Sequence, residues 1–117
     1  MSSAVRLFVY GSLKRGLSNH HMLAGAEYLG PSRTAPLYRL LDLGAYPGLA
    51  AAGQRSISGE LYRVPRSLLG SLDDFEGEQY ERAVIVLSDA EPAEAYLLAE
   101  SARAGAVELD CDSWPQR

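Results

Sequence analysis

A chain of 117 residues with 47% hydrophobic and 22% charged residues has the balance of one folded domain, residues 1–117, and is too short for a second core. Its net charge of −4 argues against a surface for nucleic acid or for an anionic membrane. Cys111 is the sole cysteine, so no internal disulfide is possible, and no apolar run approaches the roughly 18 residues that a bilayer span needs. The start of the chain, Met1-Ser2-Ser3-Ala4, passes directly into a strand without a leader-like apolar run, so a cytoplasmic home is expected.

Arg6 to Tyr10 reads as a strand, with Leu7 and Val9 on one face and Arg6, Phe8 and Tyr10 on the other. It runs into Gly11-Ser12-Leu13-Lys14-Arg15-Gly16, where each glycine allows a bend without a Cβ penalty. The backbone N–H groups of Gly11, Ser12 and Leu13 have no evident strand partner. They either close an ordinary β-turn or point at a carboxylate or a developing oxyanion. Ser18 to Leu23 suits a short helical turn capped by Ser18 or Asn19. Its adjacent His20 and His21 point about 100° apart and find no third ligand at usable spacing, so no metal is expected. One histidine braces the loop and the other is solvated.

Ala24–Leu29 and Thr34–Asp42 read as strands separated by a Gly30-Pro31-Ser32 turn. Asp42 to Gly48 is a loop of turn formers in which Tyr46 either reaches a pocket rim or packs. Ser56–Val64 alternates as a strand, with Gly59 a bulge or a site of close approach. Pro65 suits the first position of a helix and Gly77 the residue past its end. Tyr80–Leu87 and Glu94–Ala99 are further strands joined by Ser88–Pro92, and residues 104–117 add an edge strand on which Trp114 covers apolar surface. Short spacings without βαβ alternation predict an α+β fold. A small mixed, mainly antiparallel β-barrel is expected, with one main helix and short helical turns packed around it.

On that helix Leu68, Leu69, Leu72 and Phe75 gather into one stripe at about 100° per residue, and Glu76 falls inside it. Asp74 lies opposite and Asp73 at the border. Acids at a helix carboxyl end oppose its dipole, so desolvation, helix-end carbonyls and like charges are all expected to raise the Glu76 pKa. A rule broken in several ways marks a candidate site. The alternative is a frayed last turn in which Glu76 pairs with Arg82 or swings into solvent. Arg82 is expected to brace Glu76, Asp73 or Asp74, and Tyr80 either lines the pocket or packs.

Taken together, Tyr10-Gly11-Ser12-Leu13-Lys14-Arg15-Gly16 with Asn19-His20, Tyr46-Pro47-Gly48, Gly59-Glu60-Leu61-Tyr62 and Leu72-Asp73-Asp74-Phe75-Glu76-Gly77 with Tyr80-Glu81-Arg82 resemble the gamma-glutamyl cyclotransferase-like family. The resemblance runs from about Leu7 to Leu98 and is closest to the compact branch that includes gamma-glutamylamine cyclotransferase and the butirosin-pathway enzyme. It implies cleavage of a small-molecule gamma-glutamyl amide to 5-oxoproline and a free amine, without metal or cofactor. It also implies Glu76 as the catalytic glutamate and Tyr10, Gly11, Ser12 and Leu13 as the substrate loop. Tyr46 and Tyr80 are added as substrate-contacting candidates, and Arg82 as a structural brace.

The chemistry is consistent with these residues: the substrate's own α-amine attacks the γ-carbonyl, so no protein nucleophile is needed. One carboxylate with a pKa near neutrality serves as base and then acid. The expected partner is that substrate alone, with neither membrane nor nucleic acid, and the chain is a monomer or a homodimer. The rival reading is a catalytically silent module that binds a small carboxylate or a peptide in the same pocket.

Overall fold

The structure, a computed structural model, describes residues 4–44, 46–103 and 105–114. Eight strands and one α-helix follow in the order β1 (Ala4–Val9), β2 (Glu27–Arg33), β3 (Tyr38–Asp42), β4 (Pro47–Ala51), β5 (Ser58–Pro65), α1 (Arg66–Glu76), β6 (Tyr80–Val86), β7 (Pro92–Leu98) and β8 (Val107–Glu108). Two short 3-10 turns, His20–Leu23 and Glu100–Ala102, complete the described chain. None of its helices is long and apolar enough to cross a membrane.

The sheet order is β2-β5-β1-β7-β4-β3-β8, with β6 paired to β7. The mainly antiparallel α+β architecture is as expected, but the sheet is not a closed barrel. It ends at β2 on one side and at the two-residue β8 on the other. An isolated Thr34–Leu87 bridge ties the end of β2 toward β6.

Both faces of β1 are buried. Val5, Leu7 and Val9 join Leu69 and Leu72 of α1 in one core cluster, whereas Phe8 and Tyr10 join Leu40, Leu49, Ile57 and Ile85 in another. A strand apolar on both faces needs cover on both; here α1 covers one and the curled sheet the other. Burying the two leucines of α1 is worth about 1.5–3 kcal/mol each.

Several expected boundaries move. Gly30-Pro31-Ser32 is no turn: β2 runs through it, with a register shift between Tyr28 and Gly30 opposite β5. Because β2 is an edge strand, a proline without an N–H is tolerated there. Pro47 and Gly48, read as loop, open β4, which pairs antiparallel with β3. Pro65 ends β5 and stands just before α1, not at its first position. Gly59 is a close-approach site, since an added Cβ would lie 2.3 Å from the Val9 carbonyl oxygen. The expected terminal edge strand is the short β8; residues 1–3, 45, 104 and 115–117 lie outside the described residues.

One feature of the topology prepares a cleft. β6 pairs along the whole of β7, from Tyr80↔Leu98 to Val86↔Pro92. β1 and β4, both parallel to β7, must therefore share its other edge, β1 at Glu94 and β4 at Leu97. The chain leaving β1 and the chain entering β4 diverge at this fork.

Candidate active site

A cavity of about 300 Å³ opens at the fork. That is the lower end of the roughly 300–1,000 Å³ typical of small-molecule sites. Its wall brings together Tyr10, Gly11, Ser12, Leu13, Tyr46, Glu76 and Tyr80. Arg82 is not among the lining residues.

The turn after β1 forms one side. Its Lys14 N–H donates to the Gly11 carbonyl at 3.0 Å, and the Asn19 N–H donates to the Ser12 carbonyl at 3.0 Å. The Asn19 side-chain amide donates to Ser12 Oγ at 2.8 Å and so does not cap the following helical turn as expected. His20 Nδ1 lies 2.9 Å from the Leu13 carbonyl oxygen, while His21 is exposed. Among the described residues, the amides of Gly11, Ser12 and Leu13 donate to no backbone carbonyl. Gly11 does not occupy the left-handed region, as Gly16 does at φ +81°. What favours glycine at 11 is Pro47, which an added Cβ would meet at 3.2 Å.

Three tyrosine hydroxyls fasten the walls. Tyr10 donates to the Tyr96 carbonyl at 2.6 Å and accepts the Leu49 N–H at 3.0 Å, which ties the end of β1 to β7 and β4 at the fork. Burial, with smaller contributions from Tyr80 and Glu76, holds its pKa well above the usual value. Tyr80 donates to the Pro47 carbonyl at 2.7 Å, and Tyr96 donates to Asp73 Oδ1 at 2.6 Å. These hydroxyls are committed to the protein, so the rings, not the O–H groups, form the wall. Tyr46 is 41% exposed and stands 6.5 Å from the Tyr80 ring, at the rim.

Glu76 ends α1, where Gly77 turns the chain at φ +77° and returns its N–H to the Asp73 carbonyl. Burial pushes the Glu76 carboxyl up to about 7. Arg82 does not pair with it. Its guanidinium instead grips Asp73 at 2.9 and 3.2 Å and also reaches Glu94. With no fully buried side-chain N or O lacking a partner among the described residues, the Glu76 carboxylate opens onto the cavity and is not sealed in the core.

Phe75 departs from the expected inward stripe: it is 40% exposed and lines the cavity mouth beside Glu76. Asn19, Gln79 and Tyr96 also line the cavity, beyond the site residues expected from the sequence. Asn19 sat within a recognised motif; Tyr96 reads locally as one more inward strand residue, and Gln79 carries no pattern at all. Among the described residues, the lining contains no lysine, arginine or histidine. A bound anion would therefore depend on amide dipoles.

A helix on one face of an eight-stranded, mostly antiparallel sheet is an architecture shared with solved structures. A uropathogenic Escherichia coli-specific protein, c4763, superposes with a TM-score of 0.90 over 96% of this chain and 93% of its own, at 24% identity. The chain belongs to the gamma-glutamyl cyclotransferase, AIG2-like family, whose model matches residues 7–116. A Vibrio cholerae protein with a provisional gamma-glutamylcyclotransferase name is 39% identical over 95% of this chain and 96% of its own length. The zebrafish (Danio rerio) gamma-glutamylaminecyclotransferase A is 35% identical over 71% of this chain and 58% of that protein.

Proposed function

We propose that this chain cyclises the gamma-glutamyl group of an amide to 5-oxoproline and releases the amine. The substrate α-nitrogen attacks the γ-carbonyl carbon and the bond to the leaving nitrogen breaks; the α-ammonium gives up two protons in becoming the ring N–H, and Glu76 relays them one at a time to the leaving nitrogen, which departs as an ammonium. No water is consumed. The observation that carries this reading is Glu76, aimed at the cavity and pushed to about 7 by burial. A carboxyl with that pKa is matched to both proton transfers at neutral pH. The amides of Gly11, Ser12 and Leu13 bind the substrate carboxylate or the oxyanion, with Tyr46 and Tyr80 enclosing the substrate. Release of an amine, in place of an amino acid, draws on the zebrafish relative's name and on a lining that, among the described residues, has no cationic side chain.

Incubation with gamma-glutamyl amines and gamma-glutamyl amino acids, followed by mass spectrometry, should reveal 5-oxoproline, with the amines preferred. Since the base must be ionised, kcat/KM should rise with pH through a midpoint near 7. Tight binding of a gamma-glutamyl amide with no product would replace the enzyme by a silent binding module.

A further inference from the structure

The segment from the last residue of β8 to Trp114 covers apolar surface and also reaches the substrate turn. From Glu108 to Asp112 every second residue is acidic, and each carboxylate meets a different arginine. Glu108 lies 3.7 Å from Arg39 of β3, Asp110 pairs with Arg55, and Asp112 lies 2.7 Å from Arg33 of β2. The backbone is held between them. The Leu109 N–H donates to the Leu40 carbonyl at 2.8 Å, and the Ser58 N–H donates to the Asp112 carbonyl at 2.6 Å. Leu109 and Trp114 pack on the cluster that contains Phe8 and Tyr10. At the far end, the Trp114 carbonyl accepts a hydrogen bond from Lys14 Nζ.

Lys14 is the chain's sole lysine. Its own N–H closes the turn onto the Gly11 carbonyl, yet its side chain stays outside the cavity lining. Lysines ordinarily keep the ammonium in water while burying the stem. This one is part-buried and donates to a carbonyl 100 residues away in sequence. Glu60 faces it, and the same carboxylate accepts the Arg15 N–H at 2.9 Å and the Tyr62 hydroxyl at 3.0 Å.

We infer that Glu108–Trp114 is a tether and Lys14 a positioning residue: together they hold the Gly11–Lys14 turn at the depth where its free amides meet the substrate. The mechanical part stands by itself; the catalytic consequence rests on the proposed cyclotransferase reading.

The test uses the whole chain as wild type, Lys14→Met, Lys14→Arg and the triple variant Glu108→Gln, Asp110→Asn, Asp112→Asn. Trp114, the sole tryptophan, reports docking by its emission. Hydrogen exchange at the Lys14 and Asn19 amides, both donors within the turn, reports its order. Lys14→Met and the triple variant should shift the emission to the red and exchange about tenfold faster at both amides. KM for 5-oxoproline formation should rise about three- to tenfold with kcat within about twofold. Lys14→Arg should restore all three readouts. Unchanged emission and exchange in both variants would overturn the tether; looser exchange with unchanged KM would overturn the positioning role. Absence of 5-oxoproline from the wild type would count against the cyclotransferase reading alone, and emission and exchange would still decide the tether.

Discussion

Asp73 and Glu76 stand one turn apart on the same helix, and the fold treats them in opposite ways. Asp73 faces β6 and β7, where Arg82 and the Tyr96 hydroxyl bond to it; Arg82 foremost holds its carboxyl below the usual carboxylate range. Glu76 faces the cavity with no such partner among the described residues, and burial pushes it up to about 7. Paired and unpaired acids so close together divide two tasks. The first locks the last turn of α1 to the sheet, and the second is thereby aimed without being neutralised.

The sharpest way to break this comparison is to remove the acid that is proposed to do chemistry. Glu76→Gln should leave the circular dichroism spectrum unchanged and cut 5-oxoproline formation by about 10²–10⁴-fold. Turnover near wild type would displace Glu76 from its role.

The same variant should show what the unpaired acid does to stability. The folded chain keeps the Glu76 proton up to about pH 7, whereas an exposed glutamate loses it near 4.5. The folded state therefore binds more protons across that window, and stability falls as pH rises through it. Glu76→Gln should be more stable than wild type at pH 8 by up to about 3 kcal/mol, with the difference vanishing below about pH 4.5. Denaturant melts at the two pH values give the answer; a gap that does not depend on pH would mean the carboxylate is well solvated.

Removing the brace should act on Asp73 with the other sign. Asp73 has a depressed folded pKa, so its stabilising contribution is present above the unfolded value and is lost as pH falls through the folded one. Arg82→Met should cost about 1 kcal/mol at pH 7, since the pair is partly exposed, and the deficit should shrink as acid protonates Asp73. It should also lower kcat, because the last turn is less well held. An unaltered kcat would separate the brace from the aim of Glu76.

The smallest effect is expected from Tyr96→Phe, which deletes one hydrogen bond to Asp73 and leaves the ring in the wall. A loss of about 0.5–1.5 kcal/mol in thermal or chemical melts, with turnover nearly retained, would fit. A loss of turnover as large as that of Glu76→Gln would give Tyr96 a part in the chemistry that the proposed scheme does not assign.

Much of the scaffold was legible in the residues. Periodicity is local, so α1 from its leucines to Glu76, the double-faced β1 and the β6–β7 hairpin could be read directly. The inward direction of Glu76 followed from the same wheel. Phe75 did not obey it, because the helix end overhangs the cavity where the sheet no longer covers the stripe. β4 was hidden because Pro47 and Gly48 look like a turn until β3 and β7 supply partners.

The order of apolar and polar residues along the chain thus determined the helix, the main strands and the presence of one misplaced acid, since each depends on neighbours within a few turns. Tertiary structure alone decided that the sheet stays open, that β1 and β4 split along one edge of β7, and that Tyr10 reaches Tyr96 across 86 positions. Pairings of that range depend on which segments compete for one edge, and no local pattern encodes that competition.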